Sequence, residues 1–361
     1  MKAVVVHELN RIAVEQVELD RPKAQEVKIK MAAAGVCHSD LSAINGTIPH
    51  PLPLVLGHEG AGVIEEVGEG VTHVKPGDHV VMSFVPNCGR CFHCIRNEAF
   101  LCRAMPRGGM MIDGTSRLKL GGKSLAAFCA LGNMAEHVVC PAISVVPISK
   151  EIPLKAAALI GCGVTTGVGA AINTAKVQPG STVAVFGCGG VGLATIQGAR
   201  IAGAARIFAI DVAPEKLELA KRFGATDGVI ADDATPKTIM EATKGIGVDY
   251  AFEAIGKAAV VEAALNVTRR GGTTVAVGVG KLSEQIKLNA LGFPLSGKTL
   301  CGCMFGSANP QHDFPKLLDL YRAGKLDLEG MVTRKYTIDE APKAFEDLEK
   351  GLNARGVIMF S

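Results

Sequence analysis

No stretch of this 361-residue sequence stays apolar for the roughly 18 residues that a membrane-crossing helix needs. An excess of one charge sign is missing as well. Thirty-eight Lys and Arg face 35 Asp and Glu, a formal net charge of +3. That balance gives no reason to expect nucleic acid or an anionic membrane as partner. The N-terminus, MKAVVVHELNRIAVEQVELD, is interrupted by His7, Glu8, Asn10 and Arg11 where an export signal would be continuously apolar. It reads as a strand and turn and predicts a cytoplasmic protein. Internal repeats and low-complexity tracts are absent.

What remains is the profile of a soluble globular chain, 48% hydrophobic and 20% charged. Its length exceeds one ordinary core and predicts about two domains. Eleven cysteines without an export signal point to metal or redox use more than to disulfides. Four of them, Cys88, Cys91, Cys94 and Cys102, follow C-x2-C-x2-C-x7-C in a charged loop. Four thiolates this close can close a tetrahedron around one zinc, with little loop entropy left to lose. Disulfides or a redox thiol cluster are the alternative. Arg90, Arg96 and Arg103 lie alongside and can offset a zinc tetrathiolate's negative charge. A looser set, Cys37, His58 and Cys162, is scattered along the chain, and a residue of each kind alone is more often part of a core than a ligand. Their contexts, Cys37-His38-Ser39-Asp40, Gly57-His58-Glu59 and Gly161-Cys162-Gly163, favour a site. A closed four-sulfur set beside a three-ligand set suggests two zincs, one structural and one catalytic with an open position. Cys129, Cys140, Cys188, Cys301 and Cys303 read as small buried hydrophobes.

Up to about residue 150, short Val/Ile runs (26–31, 62–67, 79–84) alternate with Gly, Pro and Asp, the pattern of a strand-rich, barrel-like domain. The stretch 103–123 reads as a long surface loop. From about 164, strands (181–186, 205–210, 248–254, 273–279) alternate with helical segments (191–202, 214–223), which predicts a parallel sheet. Amphipathic helices at 314–323 and 338–348 and a strand at 356–360 follow.

Gly187-Cys188-Gly189-Gly190-Val191-Gly192 stands where a strand gives way to a helix, and Asp211 ends the next strand. Together these form a dinucleotide-binding fingerprint: glycines for the turn and close approach to pyrophosphate, and a helix N-terminus for the phosphates. Asp211 can accept hydrogen bonds from the adenosine ribose and repels a 2′-phosphate, which favours NAD over NADP.

With these motifs in this order, together with Gly62, Gly68, Lys216, Val277-Gly278-Val279, Phe305-Gly306 and Arg355, the chain resembles the zinc-dependent alcohol dehydrogenases of the medium-chain dehydrogenase/reductase family over nearly its whole length. The resemblance implies a GroES-like distorted β-barrel catalytic domain (1–163 and 305–361, with a zinc lobe at 88–102) and a doubly wound Rossmann domain (164–304). It implies two zincs and NAD. Cys37, His58 and Cys162 would hold the catalytic zinc, Glu59 would stand behind it, and Asp40 would orient His58. Ser39 would start a proton relay. His38, Lys216 and Arg355 would contact cofactor phosphate or ribose, while Thr166, Val191 and Val277 would position the nicotinamide. Phe84, Phe128, Val279 and Met304 would line an apolar substrate pocket. The implied activity is reversible oxidation of primary alcohols to aldehydes. S-(hydroxymethyl)glutathione oxidation ranks second, and a non-catalytic NAD-binding protein is the reading from another class. Many relatives end the relay with a histidine where this chain has Ser42. The length of the segment from Cys102 to Met134 matches the long-chain dimeric branch and implies a homodimer pairing near 300–304.

Overall fold

The computed structural model describes residues 1–104 and 108–361, and residues 105–107 of the expected surface loop lie outside them. The chain divides into two units: Met1–Gly163 with Asn309–Gly324 and Leu328–Ser361, and Val164–Ala308 with Lys325–Asp327.

The first unit is built around the eleven-residue strand Glu26–Val36. Antiparallel partners flank it: Gly60–Val67 and His137–Pro141, and Arg355–Met359 from the far end of the chain. Register shifts interrupt its pairing with Gly60–Val67 at Lys28/Ile29 and again at Met31/Ala33. Such bulges bend a strand and increase its twist, which curls the sheet toward a barrel. The sheet continues through His79–Met82 to Val145–Ile148 on one side and to Val332–Tyr336 on the other. A second sheet contains Lys2–Glu8, Leu54–Val55 and Lys123–Ala127. One core joins both chain ends, packing Val4, Val6, Leu54, Leu56, Phe128 and Met134 with Phe345, Leu348 and Ile358.

The stretch expected to be surface loop is more ordered than its glycines suggested. Leu118–Leu120 pairs with Lys123–Ala127 across Gly121-Gly122, both at positive φ, in a two-residue hairpin turn. Arg117 is 3% exposed and bridges Glu26 and Asp113. A guanidinium buried by its carboxylate partners leaves no hydrophobic pattern to read.

The second unit is a six-stranded parallel sheet. Its order is Asp227–Ile230, Arg206–Asp211, Thr182–Phe186, Val248–Glu253, Thr268–Ala276, Thr299–Gly302. In this doubly wound order, ligands bind where the direction of winding reverses, beside the first strand. That strand is Thr182–Phe186, and its neighbour across the reversal is Val248–Glu253. Helices Gly190–Ile201, Pro214–Phe223 and Ala258–Val267 connect the strands. Among the described residues, no single helix is long and apolar enough to cross a membrane.

Candidate metal centres and dinucleotide site

The strand Glu26–Val36 ends directly before Cys37, whose extended backbone (φ −124°, ψ 150°) opens the helix His38–Ile44. His58 follows Gly57, which sits at φ +103°, a region that only glycine enters cheaply. Cys162 closes the turn Ala158–Gly161. These three elements converge, so that ligand atoms of Cys37, His58, Glu59 and Cys162 all lie within 4.8 Å of one another. All four residues are buried, between 0 and 7% exposed. The His58 Nε2–Cys162 Sγ separation is 3.2 Å. A nitrogen and a sulfur sharing a tetrahedral zinc stand about 3.5 Å apart, from bonds of about 2.0 and 2.3 Å.

The surroundings suit a cation. Asp40 is fully buried, accepts a 2.9 Å hydrogen bond from Gly57 N–H, and has its other oxygen 3.1 Å from His58 Nδ1. The two atoms form a buried ion contact, with no other partner at either one. It favours the proton on Nδ1, leaving Nε2 as the ligand nitrogen. The Cys37 thiol is held well below its usual range, first by the Cys162 thiol and then by His58, while Cys162 is pushed up. Burial lowers the affinity of His58 for a proton, but Asp40 and Cys37 outweigh it and raise its pKa. A dication binds deprotonated ligands and would replace the protons these groups share. Glu59 accepts from Gly163 N–H at 3.1 Å and pairs with the Arg355 guanidinium. Arg355 is 4% exposed, committed to Glu59 within the first unit.

Ser39 Oγ is 3.8 Å from Cys37 Sγ. Phe84 and Phe128 both meet the His58 ring edge-on, with centroids 5.6 and 5.2 Å away. Two further residues border this set. His50 packs edge-on against Phe128 at 4.8 Å, its Nδ1 3.1 Å from the Ile48 carbonyl. Asn133 is fully buried and donates its backbone N–H to Gly57 O. Neither belongs to a motif, and only the fold brings them to Phe128 and Gly57, the neighbours of His58.

The lobe holds the second set. Cys88 and Cys94 sulfurs are 4.0 Å apart, as are those of Cys91 and Cys102, and all four lie within 4.8 Å. Disulfide sulfurs would be about 2.05 Å apart, whereas corners of a zinc tetrathiolate stand about 3.8 Å apart. The cysteines are free thiols at zinc spacing. Cys91 is drawn down to about 6, chiefly by Arg103 N–H, and desolvation pushes Cys94 up to about 12.

In the second unit, Gly192 lies against the Gly187 carbonyl, where a Cβ would come within 1.8 Å. The Asp211 carboxylate accepts from Cys188 N–H at 2.8 Å and from Ala213 N–H at 3.1 Å, which ties the strand-end acid to the glycine turn. Gly189 caps the following helix, whose first turn holds Gly190 and Val191, and Lys216 lies in the first turn of the next. Thr166 is half-buried in the helix Gly163–Gly169. Val277 is buried, its N–H bonded to Glu253 O at 2.8 Å. Val279 and Met304 are 63% and 40% exposed, and His38 is exposed in the first unit.

Comparison with known proteins agrees with this arrangement. Residues 23–150 match the alcohol dehydrogenase GroES-like domain, and residues 190–323 match the zinc-binding dehydrogenase domain. An NDMA-dependent alcohol dehydrogenase of Amycolatopsis methanolica is 43% identical, covering 100% of this chain and 99% of its own. A class-3 alcohol dehydrogenase of Myxine glutinosa is also 43% identical, covering 99% and 97%. The crystal structure of benzyl alcohol dehydrogenase from Acinetobacter calcoaceticus superimposes with a TM-score of 0.94 at 32% identity, covering 100% of this chain and 99% of that one. The buried Cys/His/Cys set, the four-sulfur lobe and the parallel sheet thus belong to one architecture, and the chain is a member of the zinc-dependent alcohol dehydrogenases of the medium-chain dehydrogenase/reductase family.

Proposed function

We propose that this alcohol dehydrogenase oxidises primary alcohols, aliphatic or aromatic, to aldehydes reversibly, using NAD and two zincs per chain. The observation that carries the reading is the buried Cys37–His58–Cys162 set with the Phe84 and Phe128 rings against His58. When bound, zinc would bring the acidity of an alcohol hydroxyl from near that of water toward 7, roughly 9 units or about 12 kcal/mol, and NAD would accept the hydride. The chain's own residues do the rest. Phe84 and Phe128 offer an apolar seat and exclude water. Ser39 Oγ, beside Cys37, accepts the alcohol proton and passes it outward. Asp40 keeps His58 in the tautomer that presents Nε2, and the Arg355 charge offsets Glu59 behind the ligands. Asp211 keeps a negative charge on the glycine turn, which disfavours a 2′-phosphate.

Turnover of benzyl and medium-chain alcohols with free NAD, compared with S-(hydroxymethyl)glutathione, tests the substrate class. The second substrate fits the layout shared with glutathione-dependent formaldehyde dehydrogenases, and preference for it would replace the first reading. The 43% identity to an NDMA-dependent enzyme favours a variant in which NDMA, not added NAD, sustains turnover. Alcohol-dependent accumulation of NADH without NDMA would reject that variant.

Ser42 lies on the helix His38–Ile44, where a relay histidine is usual in relatives. Catalysis is expected to persist but to depend on buffer for the last proton transfer. Ser42→His is expected to lose that dependence, and buffer stimulating the parent no more than the variant would sink the idea.

Among the described residues, the strand Thr299–Gly302 pairs on one edge, with Thr268–Ala276. The segment before it exposes Leu282, Leu291 and Leu295 at 100, 72 and 65%. Exposed leucines beside an open strand edge suit a second copy, which would extend the sheet across a twofold. Gel filtration is expected to give a dimer of two 37.5 kDa chains, about 75 kDa, and a tetramer would reject this.

A further inference from the structure

The reversal point of the parallel sheet contains a carboxylate that the proposed reaction does not use. Glu253 ends the strand Val248–Glu253, in register with Phe186 immediately before the glycine turn, and is 0% exposed. Its Oε1 accepts from the backbone N–H groups of Ile255 at 2.8 Å, Gly256 at 2.6 Å and Lys257 at 3.4 Å. Its Oε2 is buried without a hydrogen-bond partner. Three successive N–H groups converging on one point make an anion-binding nest, of the kind that holds phosphate in other loops. Here the nest lies at the carboxyl end of a strand, where parallel sheets bind ligands, and the chain fills it with its own side chain. Burying a carboxylate with one oxygen unsatisfied is costly, so packing alone does not account for it.

We infer that Glu253 is a positioning residue for the dinucleotide: it occupies the nest of the 254–257 loop and thereby leaves the adjoining Gly187–Gly192 turn as the place for pyrophosphate. The loop it holds reaches that turn directly. The Ile255 side chain lies against Gly187, close enough that a Cβ there would come within 2.6 Å of it. On the other side, Gly256 abuts the Val279 backbone, and the Glu253 carbonyl accepts from Val277 and Gly278 N–H groups at 2.8 and 3.0 Å. One residue therefore ties the ends of two neighbouring strands into a wall beside the glycine turn.

The inference rests on NAD being the cofactor, and the test separates the two. NAD affinity is measured by calorimetry on the zinc-loaded full chain for wild type, Glu253→Ala and Glu253→Asp, with and without added acetate, and melting temperature is recorded alongside. Removing three hydrogen bonds to a charge is expected to weaken NAD binding by Glu253→Ala about tenfold or more. Acetate, refilling the nest, is expected to recover part of that loss while leaving wild type unchanged. Glu253→Asp keeps the charge but withdraws it by one methylene, and is expected to raise the KM for NAD several-fold with kcat nearly unchanged. This variant carries the test should the alanine form fail to fold. NAD binding as tight as wild type in a folded variant, or an alanine form indifferent to acetate, overturns the inference. A wild type that binds no NAD overturns the cofactor reading instead.

Discussion

Replacing His58 with alanine is expected to cut alcohol turnover by at least about 10³-fold, equivalent to about 4 kcal/mol of barrier. Zinc should fall from two ions per chain to one, with the lobe ion retained. The size follows from what the ligand set provides. Of the roughly 12 kcal/mol ascribed to the metal, none is available from Ser39 alone, because a serine hydroxyl only conducts the proton. His58 is also the least replaceable member of its set. It lies 3.2 Å from Cys162, is aligned by Asp40, and is enclosed by Phe84 and Phe128. Elemental analysis and steady-state kinetics on the same preparation check both halves. Turnover within tenfold of the parent, with both zincs present, would remove the catalytic role assigned to this set.

A weaker companion effect is expected from Asp40→Asn, which keeps the shape but removes the charge facing His58 Nδ1. Partners behind metal ligands typically contribute 10- to 100-fold in metal affinity or activity. A loss in that range, smaller than that of His58→Ala, is therefore expected in zinc affinity measured by competition with a chelator. Unchanged affinity would mean that Gly57 N–H, which Asp40 also holds, is its main partner.

Local chemistry was the legible part of this chain. Gly187–Gly192 and Asp211 could be placed because a glycine turn and an acid each need a particular backbone position, and the strand and helix around them have distinct periodicities. The helix at Pro214–Phe223 was readable for the same reason, with proline at its start and glycine after its end. The lobe was legible because its four ligands share one short loop. Contacts that depend on tertiary packing were not. Nothing near Ile48-Pro49-His50 signals that His50 will meet Phe128, and Asn133 carries no motif. The strand expected at 26–31 runs on to Val36, because Ala33, Ala34 and Gly35 have weak strand propensity but are buried between Gly60–Val67 and Arg355–Met359. Arg117 falls in a glycine-rich stretch that reads as loop, because a charged side chain is buried only when its partners are supplied from elsewhere in the chain. Arg355, expected to contact cofactor phosphate or ribose, pairs with Glu59 across 296 positions of sequence, a contact that no local pattern signals.

Cys94→Ser is expected to release the lobe zinc and unfold residues 88–102 locally, leaving the catalytic zinc in place. The lobe has almost nothing else to hold it. Its ordered backbone consists of two single turns, Cys94–Arg96 and Ala99–Leu101. Within 88–102, only Ala99 and Cys102 are buried, whereas Phe92, Ile95 and Leu101 are 57, 68 and 42% exposed. A segment that hides so little apolar surface cannot offset an ordering cost of roughly 1 to 2 kcal/mol per residue. Metal binding in small zinc modules contributes on the order of 10 kcal/mol or more, the largest single term available to offset that cost. Serine is a poor substitute for thiolate, and its hydroxyl would leave three sulfurs drawn together without a complete shell. The first unit's core does not include these residues, so melting of the sheets is expected to shift far less than protease susceptibility of the lobe. Limited proteolysis with zinc quantification reads this directly. Cleavage should move to 88–102 in the variant, with one zinc per chain remaining. A lobe that loses its zinc yet stays as resistant as the parent would show that its fold is held by contacts with the protein surface rather than by the four sulfurs.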